Sequence, residues 1–187
     1  EYLVQFAQMG IAYMKGILGV SDPKVGLLNI GEEDAKGSMF AQEANILLRE
    51  RLPEFAGNCE GGDLVEGEFD VVVTDGFTGN VCLKTIEGTS KLMFKYVKDA
   101  MMHNMASKLG ALMIKPELMK LKDEISPDKY GGSPLLGVKG TCVIGHGSSN
   151  AEAIKNGILY SAKAVRSNLE GLIQTALQDQ HGANEDK

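Results

Sequence analysis

The chain is short of cysteine. Its three, Cys59, Cys82 and Cys142, are odd in number and far apart, with no CxxC pair. That usage suits a reducing cytoplasm and gives neither a disulfide framework nor a zinc site. Positive charge is also scarce. Nineteen lysines and arginines against 25 acidic residues leave a net charge of −6, which argues against bulk nucleic-acid binding. No stretch approaches the ~20 apolar residues of a membrane-spanning helix. The familiar phosphate and nucleophile signatures are missing as well. There is no GxxxxGKS or GxxxxGKT loop. Gly145-His146-Gly147-Ser148-Ser149-Asn150 begins like GxGxxG but carries Asn150 at the third glycine position. The GxSxG elbow of serine hydrolases is absent too, and no internal repeat or low-complexity segment is visible.

What remains is ordinary for a soluble globular protein: 187 residues, 43% apolar and 24% charged, enough to build a core. Glu1 is not an initiator, and Tyr2–Leu18 already reads as an amphipathic helix without an obvious N-cap. A piece of a longer protein is therefore expected.

A turn at Ser21–Pro23 precedes an apolar strand over Val25–Ile30, then a polar loop over Gly31–Gly37. A helix is predicted over about Ser38–Leu52, a short strand over Phe55–Cys59, and a loop at Gly61-Gly62 before a single turn. The next strand is Phe69–Val73, followed by helical sequence from about Thr78 to Leu109. Pro116 is read as the start of another helix that stops near Ser126-Pro127. A Gly/Pro-rich loop over Tyr130–Gly140 leads to a third buried strand, Thr141–Ile144, and a helix to about Leu177. Short continuous apolar strands alternating with amphipathic helices predict an α/β fold, a mostly parallel sheet covered on both faces. The expected organisation is a single α/β domain over 1–178, with a helical hairpin over about 90–126 and a frayed tail over 179–187.

Three strand ends carry the chemistry: Asn29 to Lys36, Thr74 to Asn80, and His146 to Asn150. Each combines glycines with short polar side chains. Parallel sheets bind ligands at the carboxyl ends of strands, where the next helix offers free N–H groups to an anion. Well-capped turns share this composition, so one such junction alone would not define a site.

Four segments then coincide with one family. VGLLNIGEEDAK (Val25–Lys36), DVVVTDGFTGNVCLK (Asp70–Lys84), YGGSPLLG (Tyr130–Gly137) and GHGSSN (Gly145–Asn150) occur in the expected order. Together they resemble the phosphate acyltransferase family of bacterial phospholipid synthesis (PlsX type), from Tyr2 to about the helix after Asn150. Members of that family are longer at the N-terminus. The resemblance implies a three-layer α/β/α fold of the isocitrate-dehydrogenase and phosphotransacetylase type with a protruding helical hairpin. It implies transfer of a fatty acyl group from acyl carrier protein to inorganic phosphate, giving an acyl phosphate for a downstream glycerol-3-phosphate acyltransferase. It also implies no metal or other cofactor, a homodimer, and a cytoplasmic protein associated peripherally with the membrane. Asn150 stands where many relatives have Asp.

Phosphate is itself a nucleophile, so this chemistry needs positioning and an oxyanion donor rather than a catalytic Ser or Cys. With the resemblance in view, Lys36 is the cation for phosphate, against the plain reading of a solvated loop lysine, and Asn80 a neutral amide donor to phosphate or to the developing oxyanion, against that of an ordinary helix cap. His146 has two readings, an acid for the leaving thiolate or a structural strand-end histidine. Substrate contacts are expected from Asn29, Gly31, Thr74, Gly76, Thr78, Gly79, Gly147, Ser148 and Ser149, with Asp75 orienting donors. Cys82 is read as an inert cysteine rather than a nucleophile.

Two surfaces stand out. Lys84, Lys91, Lys95 and Lys98 share one helix face, either a rail for acidic acyl carrier protein or a solvated face, with Glu87 placed to pair with Lys91. Leu109, Leu112, Met113 and Ile114 form an apolar patch bracketed by Lys108 and Lys115. Such a patch can dip into a membrane surface or be buried in a dimer. Two rival functions are a metal- and NAD-dependent dehydrogenase of similar fold and a non-enzymatic membrane scaffold for acyl carrier protein. The first lacks an aspartate cluster and a dinucleotide loop; the second leaves three polar strand ends without a purpose.

Overall fold

In the computed structural model, which describes residues 1–124 and 126–185, three short strands pair as a parallel sheet. They are β1 (Val25–Leu28), β2 (Phe55–Cys59) and β3 (Val71–Val73), in the order β2-β1-β3. The α/β class with a parallel sheet is the one expected, and a three-layer α/β/α arrangement is consistent with it. β1 is central and its side chains Val25 and Leu27 are almost wholly buried, as a middle strand requires. β3 is shorter than predicted: Phe69 and Asp70 precede it, and Asp70 instead accepts a hydrogen bond from the Lys24 backbone N–H at 2.8 Å.

The β1–β2 register contains an irregularity. Val25 pairs with Phe55, but Gly26 pairs with Gly57 and Leu27 with Asn58. Ala56 is the extra residue, and Gly57 carries φ +124°, a backbone state that L side chains rarely adopt. Side chains alternate along a strand, so this bulge moves Asn58 onto the face that carries Phe55, Val25 and Leu27.

That face is covered by α1 (Tyr2–Tyr13) and α2 (Met39–Arg51). Leu3, Val4, Ala7 and Ile11 of α1 meet Ala44 and Leu48 of α2 and the strand residues in one core. Ser38 caps α2, its hydroxyl accepting from Ala41 N–H at 3.2 Å. After α1 a π-helical turn, Met14–Leu18, ends at the left-handed Gly19. A second core joins Ala12 and Ile17 to Ala164, Leu169 and Ile173 of α6 (Ala151–Arg166) and α7 (Leu169–Glu185), flanked by Tyr13 and Tyr160. Burial raises the Tyr160 phenol well above its ordinary range, with the neighbouring Tyr13 adding to the effect.

The chain divides into two compact units. One holds Glu1–Gly76, Pro134–Ile144 and Leu159–Lys187; the other holds Phe77–Ser133 and Gly145–Ile158. The first contains the sheet and both cores. The second consists mainly of α4 (Gly76–Met101), α5 (Met105–Glu124), a 3-10 turn at Pro127–Lys129 and the first half of α6.

Several boundaries differ from the sequence expectation. Gly61 and Gly62 open a short helix, α3 (Gly61–Glu66), rather than forming a loop. α4 starts at Gly76, two residues early, and stops at Met101. α5 then begins under an Asn104 cap, whose Oδ1 accepts from Ser107 N–H at 2.8 Å. Pro116 lies inside α5 rather than starting a helix. It removes one hydrogen bond, to the carbonyl four residues back, and on an exposed helix water can serve that group. The expected third buried strand is a correction. Only Val143–Ile144 (β5) is strand, it pairs with Ser133–Pro134 (β4) outside the parallel sheet, and Ile144 is 55% exposed. An apolar run marks burial only where another element covers it. The final helix is also interrupted, at Asn168, whose φ of +52° Asn tolerates better than most side chains. The expected tail over 179–187 ends in residues 186 and 187, outside the described residues.

Candidate active site

Beyond β1 the chain enters a polar loop that ends at Gly37, and side-chain amides tie that loop at both ends. The Asn29 carboxamide accepts from Ile30 N–H at 2.8 Å and donates to the Lys36 carbonyl at 3.1 Å. It spans the loop from entry to exit. Gln42 of α2 donates to the Ala35 carbonyl at 2.7 Å and to the Gly37 carbonyl at 3.3 Å. Gly37 takes φ +87°, and a Cβ there would run into the Asn29 side chain. Gly31 is buried against the stem of Lys36 and the Glu33 carboxylate. Asp34 is drawn off by Arg49 at 2.7 Å. The Lys36 ammonium lies 4.0 Å from Glu33 Oε1, at the outer limit of an ion pair, and its side chain is half exposed. The loop therefore has a fixed backbone and presents a lightly paired cation.

At the second junction Thr74 and Asp75 follow β3 in the sheet-bearing unit and are half-buried, and Gly76 opens α4. Thr78, Gly79 and Asn80 belong to the other unit and lie in the first turns of α4. Asn80 is exposed and inside the helix, so it is not an N-cap. The macrodipole of this 26-residue helix favours negative charge near its start.

The third junction is internally bonded. Ser149 Oγ accepts from His146 N–H at 3.0 Å, and Ser149 N–H donates to the His146 carbonyl at 3.0 Å. His146 Nδ1 lies 2.6 Å from Ser148 Oγ and accepts from Ser148 N–H at 3.2 Å. A backbone N–H can only donate, so in the neutral ring Nδ1 is the acceptor and Nε2 carries the proton. Gly147 completes the turn and is exposed. Asn150 caps α6: its Oδ1 accepts from Ala153 N–H at 2.9 Å, and its Nδ2 donates to Asp128 at 2.8 Å. The carboxamide thus fills a donor role that an aspartate at 150 would not.

Lys36 lies in the sheet-bearing unit, and Asn80 and His146 in the other. Four residues with roles in these loops were passed over in the sequence: Asn45, Asn58, Asp128 and Asn156. Asn156 Nδ2 donates to the Asp128 carbonyl at 3.0 Å. Asn45 had a visible signal, since it stands three residues before Leu48 and seven before Leu52 on the apolar stripe of α2.

On α4, Lys84, Lys91, Lys95 and Lys98 are all exposed. Glu87 pairs with Lys84 at 2.9 Å, one turn back, and not with Lys91 as expected. The Lys84 hydrogen bond, aided by the charges of Lys84, Lys91 and His146, holds the Glu87 carboxyl below its ordinary range. The apolar residues of α5 are open: Leu109 is 65% exposed, Leu112 66%, Met113 79% and Ile114 47%. Among the described residues no helix is long and apolar enough to cross a membrane, and no cluster of three or more His, Cys, Asp or Glu is placed to hold a metal.

Comparison with known proteins places this geometry in context. A family described as "Fatty acid synthesis protein" matches residues 1–171. The phosphate acyltransferase of Halothermothrix orenii is 51% identical over 93% of this chain and 53% of its own length. That of Thermus thermophilus is 45% identical over 97% of this chain and 56% of its own length. That of Anoxybacillus flavithermus is 44% identical over 95% and 53%. The chain spans about half the length of the curated relatives it matches.

Proposed function

The chain belongs to the phosphate acyltransferase family, and from that membership we propose that the protein transfers a fatty acyl group from acyl carrier protein thioester to inorganic phosphate. A phosphate oxygen attacks the thioester carbonyl, the C–S bond breaks, and acyl phosphate and the carrier thiol are formed. Lys36 holds the phosphate as a compact positive charge. The N–H groups at the start of α4, around Thr78 and Gly79, and the Asn80 carboxamide serve the charge that grows on the carbonyl oxygen. His146 stands as the acid that hands the leaving thiolate a proton from Nε2. Asn29, Gly31, Thr74, Asp75 and Gly76 shape the sheet-side loops, and Gly147, Ser148 and Ser149 contact phosphate or the pantetheine arm.

The observation that carries this reading is Lys36: a half-exposed ammonium, 4.0 Å from its nearest carboxylate partner, on a loop whose carbonyls at Ala35, Lys36 and Gly37 are tied by Gln42 and Asn29. A solvated lysine needs no such frame; a cation that must meet an anion in one place does.

Acyl carrier protein is the acidic partner of the Lys84, Lys91, Lys95 and Lys98 face. Leu109, Leu112, Met113 and Ile114 meet either a membrane surface or a second copy. The acyl phosphate is then consumed by a glycerol-3-phosphate acyltransferase. The test is direct. Full-length protein is incubated with acyl carrier protein thioester and phosphate, and acyl phosphate is trapped with hydroxylamine. Phosphate-dependent acyl hydroxamate is expected, and its absence would sink the reading.

A further inference from the structure

We propose that Asn58, delivered by the Gly57 bulge and buttressed by Asn45, is a positioning residue that sets the Glu33–Lys36 turn and so the place of the Lys36 ammonium. The proposal rests on the reading of Lys36 as the phosphate cation.

Among the described residues three polar side chains are buried: Gln8, Asn45 and Asn58. Two of them form one chain of bonds. Asn45 Nδ2 donates to Asn58 Oδ1 at 3.0 Å, and Asn58 Nδ2 donates to the Glu33 carbonyl at 2.8 Å. The same Glu33 carbonyl accepts from Lys36 N–H at 3.0 Å. One oxygen therefore joins the buried amide of β2 to the backbone of the lysine itself.

Nothing in the packing of this layer asks for an amide. Asn58 pairs with Leu27 on a face otherwise built from Phe55, Val25, Val73, Leu48 and Ala44. An apolar side chain there would avoid the cost of burying polar atoms. The bulge is a second cost, since Gly57 must hold φ +124°. Without it, strand alternation would turn Asn58 to the opposite face, away from Asn45. Bulges beside functional sites commonly re-aim one side chain in this way. Here the result is a single donor, 5% exposed, fixed from behind by a second amide that is 2% exposed. Its orientation is set by Asn45, because an oxygen that accepts from Asn45 leaves the nitrogen facing Glu33.

The test uses the full-length protein. Asn58→Ser replaces the amide donor with a shorter hydroxyl that does not extend to the place of Nδ2, without adding charge, and Asn45→Ala removes the buttress but keeps the donor. Leu47→Ala, a neighbouring α2 core truncation, controls for lost stability. Both asparagine variants should raise the KM for phosphate about tenfold with a smaller change in kcat, the scale of one buried hydrogen bond. They should also speed amide hydrogen exchange in residues 30–37, while Leu47→Ala moves neither. An unchanged phosphate KM in folded Asn58→Ser and Asn45→Ala protein overturns the proposal. So does a change matched by Leu47→Ala. Should Asn58→Ser fail to fold, Asn45→Ala decides alone. Wild-type turnover in Lys36→Ala would instead remove the underlying reading of the lysine, and the exchange rates of residues 30–37 would still judge the clamp.

Discussion

The sheet-bearing unit and the unit built around α4 and α5 use similar side chains to opposite ends. In the first, Val25, Leu27 and Leu48 are at most 1% exposed and meet α1 and α2 in one core. In the second, Leu83, Leu92, Met93, Phe94 and Tyr96 of α4 and Leu109, Leu112 and Met113 of α5 are each between 45% and 79% exposed. Both regions show helical spacing of apolar residues. The difference is whether a second layer is present to cover them. Contiguous exposed apolar patches commonly mark partner or membrane surfaces, and that is the role proposed for α5. The contrast separates residues that hold the fold from residues that the proposed contact would use.

The largest effect that would break this contrast is on stability. Leu48→Ala should lower unfolding free energy by about 2–5 kcal/mol, while Leu112→Ala should stay within about 0.5 kcal/mol. Denaturant titration of the full-length protein checks both, and equal losses would mean the α5 residue is buried after all. Next in size is turnover. Lys36→Ala and Asn80→Ala should each lower kcat/KM by about 100-fold, or about 2.7 kcal/mol, with thermal melts intact; wild-type rates would reject both roles. The contact surface comes third. Combining Leu112→Glu with Ile114→Glu should leave the melting temperature nearly unchanged yet abolish pelleting with anionic vesicles. Retained pelleting, with loss of dimer instead, assigns the patch to a second copy.

Smaller effects sharpen the account of the sheet-bearing unit. Ser38→Ala removes the α2 cap and should cost about 1 kcal/mol. The smallest concerns Glu54, bonded to Lys15 at 2.8 Å. Burial acts to raise its pKa, but the Lys15 hydrogen bond and charge, with its own backbone N–H, carry it below the ordinary 4.5. A depressed carboxyl contributes stability above pH 4.5 that is lost as pH falls through the folded value. Glu54→Gln should therefore flatten part of the acid limb of a stability-against-pH curve, by no more than about 0.5 kcal/mol, since the Lys15 partner is nearly half exposed to solvent.

Much of the framework was legible in the chain. Val25–Leu28 and Val71–Val73 are short apolar runs and Phe55–Cys59 a short segment between turn residues, and α2 follows a serine cap. Both signals are local, so they survive without knowledge of neighbours. Ile144 shows where that logic stops, because its run looks like Val71–Val73 but no second layer covers it. Pro116 and Asn168 mark the same limit. A proline inside an exposed helix and an asparagine at positive φ each trade a local penalty against the path of the chain. Of the residues given roles in the proposal, Lys36 and His146 were legible because their loops are rich in glycine and short polar groups, and Asn80 because it follows such a segment at the start of α4. Asn58 was not, since its partner Asn45 is thirteen residues away and the bulge that turns it appears only once β1 and β2 are in register.

By itself, then, the sequence determined the α/β class, the parallel strands, the strand-end loops and the family, all of which rest on local pattern and on motifs in order. Only the tertiary structure decided which apolar residues are covered, which strand stays outside the sheet, and which buried amide holds Glu33 and Lys36 in place. Those are set by pairing register and by contacts between distant segments, and neither is encoded in the period of any one segment.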